Sequence, residues 1–173
     1  MMKMPTRKCV TSSTYYPPTK KKQKNTAMNK WYLCKVSYER QADEMGMKKV
    51  TEGYLVDALS FTEAEARVVK EITPFVSVGV LEVVNIRPMR LAELILDGES
   101  GKYYRAKVDL NTIDSAGQER KVGTAMVVQA DSLLEGTKSL LAHLDNGVSA
   151  YELVSISELD ILDVFQYIAP PAE

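Results

Sequence analysis

The strongest constraint on the fold is an internal repeat in the sequence. When the chain is shifted by 72 positions, residues 31–70 align with residues 103–142 without a gap, and beyond residue 77 the offset becomes 70. A repeat of this length indicates two copies of one folding unit, so we predict a tandem duplication. Identical pairs include Tyr32/Tyr104, Lys35/Lys107, Glu63/Glu135 and Glu82/Glu152.

Each copy begins with the pattern of a β-hairpin. Residues 31–38 and 103–110 alternate and are rich in aromatic and β-branched side chains, which is typical of a strand. A polar turn that contains a glycine follows, and a second strand is predicted over about 49–58 and 121–130. Two strands joined in this way are expected to pair as an antiparallel hairpin.

A helix is predicted after the hairpin in each copy. Ser60–Glu63 and Ser132–Glu135 are capping boxes, in which the Ser hydroxyl accepts a hydrogen bond from the third backbone amide and the Glu carboxylate reaches back. They predict helices over about 61–72 and 133–144.

The end of each copy is predicted to form a third strand and then a short helix. The third strands cover about 79–87 and 149–156. The apolar periodicity of Met89–Leu96 and Glu158–Tyr167 predicts helical segments, and Pro88 suits a first helical position.

The predicted fold class is α+β: a tandem duplication of a ββαβ(α) unit with pseudo-twofold symmetry, in which one helix packs on each three-stranded sheet. A unit of about 65 residues is marginal alone, so the two copies are expected to share a core. A homodimer is compatible with this architecture. The predicted divisions are a disordered basic arm at 1–27, a first repeat at 28–97, a connection at 98–102, a second repeat at 103–168 and a tail at 169–173.

The charge of the chain is divided unevenly. The whole sequence has 22 Lys and Arg against 23 Asp and Glu, but residues 1–27 hold seven of the basic residues and no acid. The remainder therefore carries 15 basic and 23 acidic residues, a formal charge of −8. The arm has too few apolar side chains to offset its ordering entropy. It is a solvated tail, an upstream extension if translation starts at Met28, or a contact to nucleic-acid phosphate.

Composition excludes several classes of protein. Hydrophobic residues make up 45% of the chain, which excludes collagen-like and disordered polymers. No run approaches the roughly 20 apolar residues of a membrane span, so we expect a soluble protein without membrane contact. Residues 1–27 lack the apolar stretch of a secretory signal. Cys9 and Cys34 have no metal-binding spacing, which favours a cytoplasmic location.

Strand periodicity predicts a candidate nucleic-acid surface. In each copy an aromatic residue and lysines share the face opposite the apolar one, an arrangement that suits bases stacked on rings and phosphates held by ammonium groups. In the alternative, the two rings pack the repeats against each other, and Lys35 and Lys107 pair with Glu82 and Glu152. The candidate residues are Trp31, Lys35, Lys49, Tyr103, Lys107 and Lys121.

No catalytic, cofactor or metal motif is recognised. Gly98–Lys102 resembles the end of a phosphate-binding loop, but a strand rather than a helix is predicted to follow it, so we interpret it as a turn. His143 has no Cys or Asp constellation around it in the sequence. The chain is therefore predicted not to be an enzyme and to bind no cofactor.

Three segments resemble a known family: Trp31-Tyr32 through Lys35-Val36, KVTEGYLVDALSFTEAEARV, and VSISELDILDVF. Over about residues 28–166 the chain resembles an uncharacterised domain family of small proteins from anaerobic gut bacteria and their phages. The resemblance implies no activity, cofactor or catalytic residue. Because family members look like phage or mobile-element genes, it favours a role beside nucleic acid.

The leading functional hypothesis is a non-enzymatic binding protein of phage or mobile-element type, an accessory nucleic-acid-binding factor in DNA metabolism. Its partner would be single-stranded nucleic acid. The alternative is an acidic protein–protein interaction module that engages a phage or host protein and makes no nucleic-acid contact.

Overall fold

A computed structural model describes residues 30–42, 46–76, 79–147 and 150–167. The predicted arm at 1–27 and tail at 169–173 lie outside these residues. Within them the fold is α+β, with two four-stranded sheets and two α-helices. None of the described helices is both long and apolar enough to cross a bilayer.

The elements follow one another in the same order in the first half, residues 30–97, and the second half, residues 103–167. The first half contains β1 Lys30–Ala42, β2 Gly46–Ala58, α1 Phe61–Ile72, a 3₁₀ turn Thr73–Phe75, β3 Glu82–Met89 and β4 Glu93–Ile95. The second half contains β5 Tyr103–Ile113, β6 Glu119–Gln129, α2 Leu133–Asp145, β7 Tyr151–Leu159 and β8 Asp163–Phe165.

The two predicted hairpins are confirmed. β1 pairs antiparallel with β2, and Tyr32 lies opposite Val56. β5 pairs antiparallel with β6, and Tyr104 lies opposite Val128. In the turn of the second hairpin, Gly117 has a φ of 78°, a backbone conformation that residues with a Cβ rarely adopt.

The two predicted helices are also confirmed, together with their N-terminal caps. The Ser60 hydroxyl accepts a hydrogen bond from the Glu63 amide at 3.2 Å, and the Ser132 hydroxyl accepts one from the Glu135 amide at 3.3 Å. In α1 the Glu63 carboxylate completes the box, since it accepts a bond from the Leu59 amide at 2.8 Å. These contacts satisfy amides that a helix leaves without an internal partner.

The predicted terminal helices are wrong. Met89–Leu96 and Glu158–Tyr167 instead contain strand ends and the short strands β4 and β8. β4 pairs in parallel with β6, and β8 pairs in parallel with β2. A strand of the other half thus supplies the backbone hydrogen bonds that a helix would have formed within itself. Pro88 lies in β3, an edge strand, where its missing N–H costs no bond between two strands.

The predicted three-stranded sheets are wrong for the same reason. The strand order is β3-β1-β2-β8 in the first sheet and β4-β6-β5-β7 in the second. Each sheet therefore takes three strands from one half and its fourth strand from the other half. We call this the strand exchange.

Apolar side chains form three clusters. One lies between α1 and the first sheet, and a second lies between α2 and the second sheet. The third, which we call the inter-sheet cluster, has buried Leu55, Tyr103, Val127 and Ile161 at its centre, and half-buried Trp31 packs against it. Alternation along the strands places the helices and the inter-sheet cluster on opposite faces of each sheet. The layers are therefore helix, sheet, sheet, helix.

Candidate functional site

The two predicted aromatic residues lie in the inter-sheet cluster. Tyr103 is only 5% exposed and its hydroxyl donates to Asp163 Oδ1 at 3.3 Å. Burial and the nearby Asp163 carboxylate raise the pKa of Tyr103 to about 12. Trp31 is half-buried. This is the packing expected if the rings hold the sheets together, and it leaves the Tyr103 ring covered.

Lys49 and Lys121 form exposed ion pairs. Lys49 Nζ lies 3.4 Å from Glu82 Oε2, and Lys121 Nζ lies 2.7 Å from Glu152 Oε2. The hydrogen bond raises the pKa of Lys121 and lowers the pKa of Glu152. Glu82 and Glu152 thus pair with the lysines of β2 and β6, rather than with Lys35 and Lys107 as the alternative expected.

Lys107 lies in a basic groove on the second sheet. The groove has a volume of about 360 Å³ and brings Lys107 together with Arg90, Arg105 and the single acid Asp109. Arg105 Nε is buried and has no hydrogen-bond partner among the described residues. The groove is therefore lined by three cationic side chains and one anionic side chain, and one of its hydrogen-bond donors has no partner among the described residues.

Lys35 lies in a smaller hollow on the first sheet. This hollow, of about 80 Å³, is lined by Leu33, Lys35, Asn85 and Arg87. Alternation places Lys35 on the same face as Trp31 and Leu33, just as Lys107 shares a face with Tyr103. Each lysine thus lies on the same face of its strand as the ring in the inter-sheet cluster, four residues further along.

A larger cleft of about 750 Å³ opens beside α1 and β8 at the first sheet; we call it the aromatic cleft. Its size is within the usual range for small-molecule sites. Residues from the hairpin, α1, the 3₁₀ turn and β8 line it. They include Tyr38, Arg40, Glu52, Tyr54, Glu71, Ile72, Phe75, Leu162, Asp163 and Phe165.

Two tyrosines converge on one carboxylate in the aromatic cleft. The hydroxyls of Tyr38 and Tyr54 donate to Glu52 Oε2 at 2.9 and 2.6 Å. Burial and these hydrogen bonds raise the pKa of both tyrosines. Both phenols therefore stay protonated near neutral pH and hold the half-buried Glu52 carboxylate in place.

The walls of the aromatic cleft combine rings and charges. Tyr54 stacks on Phe165 with ring centroids 5.4 Å apart and planes 12° apart. Phe75 stands at the rim with 74% of its surface exposed. Exposed Glu71 and Asp163 add negative charge to that of Glu52. Within the described ranges, no group of three ligands is close enough to hold a metal ion.

The remaining candidate residues take part in local structure. His143 Nε2 lies 2.9 Å from Glu93 Oε2, so the helix α2 is tied to β4. The predicted turn at Gly98–Lys102 is confirmed, and Asp97 Oδ1 accepts bonds from the Glu99 and Ser100 amides at 3.0 Å. The Ser100 hydroxyl also donates to Asp97 Oδ2, so the same carboxylate closes the turn.

The sequence pattern did not single out the aromatic cleft or two of the groove's three cations. That pattern favoured residues that are identical in the two aligned segments, whereas Tyr38, Glu52 and Tyr54 align with Leu110, Thr124 and Met126 at the shift of 72 positions. The signal that could have found the cleft was a difference between the two segments: polar and aromatic side chains at strand positions where the aligned residue is of another type.

A family model described as a domain of unknown function, DUF4494, matches residues 30–167. No curated protein and no solved structure matches the chain significantly.

Proposed function

The chain belongs to the DUF4494 family, a domain of unknown function, and from that premise we propose that it is a non-enzymatic binding protein that contacts nucleic-acid phosphate. The contact surface is the basic groove of Arg90, Arg105 and Lys107. The proposal includes an origin in phages or mobile elements of gut bacteria, a cytoplasmic location and an accessory role in DNA metabolism.

The observation that carries the proposal is the Nε atom of Arg105, which has no hydrogen-bond partner among the described residues. A buried donor without a partner is costly, and a phosphate oxygen is the acceptor that an Arg fork binds best. Arg90 and Lys107 line the same groove and would share the charge of that phosphate. Asp109 opposes them, but the groove keeps a net positive charge.

The smaller hollow is a second basic site, on the first sheet. Lys35 and Arg87 offer two more cations there. A strand of nucleic acid that follows both sites would be held by its backbone, with little dependence on base sequence. Of the six residues predicted from sequence, Lys35 and Lys107 carry this version of the proposal. Trp31 and Tyr103 pack in the inter-sheet cluster and line neither basic site, and Lys49 and Lys121 can contact phosphate only if their ion pairs open.

The tandem duplication is part of the same proposal, because it explains why both sheets carry a basic site. It is supported by the matching registers. β1 has a bulge between Lys35 and Val36 where it pairs with β3, and β5 has one between Lys107 and Val108 where it pairs with β7. We infer a pseudo-twofold relation between the halves from this match and from the strand exchange.

The test is fluorescence anisotropy of a labelled oligothymidine of about 30 nucleotides, titrated with the full chain at low salt. The triple variant R90Q/R105Q/K107Q should weaken binding by about tenfold or more and flatten the salt dependence, because fewer counterions are released. A second variant, with Lys20, Lys21, Lys22 and Lys24 changed to Gln, measures the contribution of the basic arm.

The matched control is K49Q/K121Q, which removes two charges that already have partners. It should change the affinity much less than the groove variant. Equal affinity of the groove variant and the wild-type chain, with both folded, would overturn the proposal.

The second candidate is the acidic protein–protein interaction module. The observation in its favour is the formal charge of −8 outside residues 1–27, which disfavours tight phosphate binding except where cations cluster. This candidate predicts indifference to oligonucleotides at low salt and capture of a basic phage or host protein.

A further inference from the structure

The geometry points to the aromatic cleft as a binding site for an organic cation, an alkylammonium or guanidinium group held between rings and carboxylates. The site is separate from the basic groove, and the inference does not depend on nucleic-acid binding.

The charges of the residues that line the cleft determine the sign of the charge of its ligand. The aromatic cleft contains the carboxylates of Glu52, Glu71 and Asp163 and one opposing guanidinium, that of Arg40. A cation is therefore favoured electrostatically and an anion is disfavoured. Because Glu52 is half-buried, its charge is screened less than that of a fully exposed carboxylate.

The rings favour an organic cation. The exposed ring of Phe75 and the half-buried ring of Phe165 line the same space, and an ammonium or guanidinium group is attracted to the face of an aromatic ring. The exposed apolar side chain of Leu162 suits the methylene chain that carries such a group. A hydrated metal ion would gain nothing from these surfaces.

The carboxylate of Glu52 is prepared to accept a hydrogen bond from the ligand. Both phenols donate to Oε2, and Oε1 accepts no hydrogen bond from the described residues. The two tyrosines therefore fix the carboxylate without occupying its second oxygen. A charged donor placed on that oxygen would form a bond stronger than one between neutral groups.

The size of the site and the spacing of its acids also exclude a bare metal ion. The volume of about 750 Å³ is far larger than an ion needs. The three carboxylates do not form a metal-binding group in the part of the chain that the structure describes. They are spread around the cleft, which suits a ligand with an extended or divided positive charge.

The second half offers an internal comparison that lacks the site. At the positions of Tyr38, Glu52 and Tyr54 it carries Leu110, Thr124 and Met126. Where the first sheet has Glu71 and Asp163 beside it, the second has His143 and Glu93, whose Nε2 and Oε2 atoms lie 2.9 Å apart. The same frame thus holds two apolar side chains, a threonine and a carboxylate that is in contact with an imidazole.

Two sources could supply this chemistry: a free amine or guanidine, and an Arg side chain of a basic peptide. Isothermal titration calorimetry of the full chain with agmatine and with an Arg-rich nonapeptide separates them. Binding of agmatine identifies a small-molecule site. Binding of the peptide alone identifies the same pocket as an anchor for a protein side chain.

The decisive variants are Glu52→Gln and Glu71→Gln. Glu52→Gln keeps an oxygen for the phenols but removes the charge, and it should weaken binding of whichever probe binds by about tenfold or more. Glu71→Gln changes an exposed helix residue, which the fold tolerates, and should weaken binding about threefold. The matched control is Glu93→Gln, which removes one carboxylate at the position on the second sheet that corresponds to Asp163 on the first, and it should leave binding unchanged.

Neutral N-butylurea tests whether charge is required and should not bind. The inference is overturned if neither cation binds at millimolar concentration. It is also overturned if Glu52→Gln and Glu71→Gln, both shown to be folded by thermal unfolding, bind as tightly as the wild-type chain.

Discussion

The two halves of the molecule use the same order of elements to enclose different chemistry. In the first half, Tyr38 and Tyr54 hold Glu52 at the wall of an open cleft. On the second sheet, the equivalent strands present Leu110 and Met126, and a 2.9 Å contact between His143 Nε2 and Glu93 Oε2 joins α2 to β4. The basic residues are distributed the other way, since the second sheet has the three-cation groove and the first has the smaller hollow.

This difference shows which positions the frame requires and which it leaves free. Ser60 and Ser132 cap the helices in the same way, and the bulges of β1 and β5 match. Side chains at these places are set by backbone hydrogen bonding. Tyr38 and Tyr54 belong to the core cluster of the first sheet, and Leu110 and Met126 belong to that of the second, so the two halves differ there without a change in topology.

The largest expected effect tests whether the halves are joined into one unit. Leu55 is fully buried in the inter-sheet cluster, so Leu55→Ala should lower the free energy of unfolding by about 2–5 kcal/mol. Val127→Ala, the equivalent change in the second half, should cost less because a smaller side chain is removed. Urea unfolding followed by the fluorescence of Trp31, the single tryptophan, and by circular dichroism measures both.

The two optical signals should change together in that experiment. Trp31 reports on the inter-sheet cluster, while circular dichroism reports on both sheets and helices. Separate transitions for the two signals would contradict the shared core.

A smaller effect is expected where the segment before β8 passes close to β2, and the segment before β4 passes close to β6. A Cβ on Gly53 would lie 2.5 Å from the Asp160 carbonyl oxygen, a backbone atom, so Gly53→Ala should cost about 1–3 kcal/mol. The second half has Ala125 at the equivalent position, and its carbonyl still accepts the Ala92 amide at 2.8 Å. Ala125→Gly should therefore cost only about 0.5–1 kcal/mol.

Thermal unfolding of the two single variants measures this asymmetry. An equal loss of stability from Gly53→Ala and Ala125→Gly would mean that the chain is packed equally closely at both positions, contrary to the close approach at Gly53.

The smallest expected effect concerns the helix caps. The Glu63 carboxylate accepts the Leu59 amide, and no such bond from Glu135 is present among the described residues. Glu63→Ala should therefore destabilise the protein by roughly 0.5–1 kcal/mol, the low end for loss of a capping side chain, and Glu135→Ala by less. Urea unfolding distinguishes them, and a larger loss from Glu135→Ala would show that the reciprocal bond contributes nothing.

The hairpins and helices could be predicted from sequence because their signals are local. Alternation over the strands and a Ser with a Glu three residues later are enough to place them. The strands β4 and β8 could not be predicted in this way. Each has three residues and is paired by a partner in the other half, so no local period identifies it.

The candidate site was predictable only in part. Strand alternation placed Lys35 and Lys107 on one face of their sheets, but it could not reveal that Arg90, from the segment between β3 and β4, lines the same groove as Lys107. It also left open whether Trp31 and Tyr103 face solvent or the other sheet. That depends on how two sheets pack, which is a long-range property of the chain.

The strand exchange has a consequence for any attempt to shorten this protein. A polypeptide that ended after residue 97 would keep β1, β2 and β3 but lose β8, so the free edge of β2 would present unpaired amides and carbonyls to other molecules. Its own β4 would have no β6 to join. Two such fragments could satisfy both needs only by trading these segments between molecules, which makes a swapped dimer, and not an independent monomer, the natural form of half of this chain.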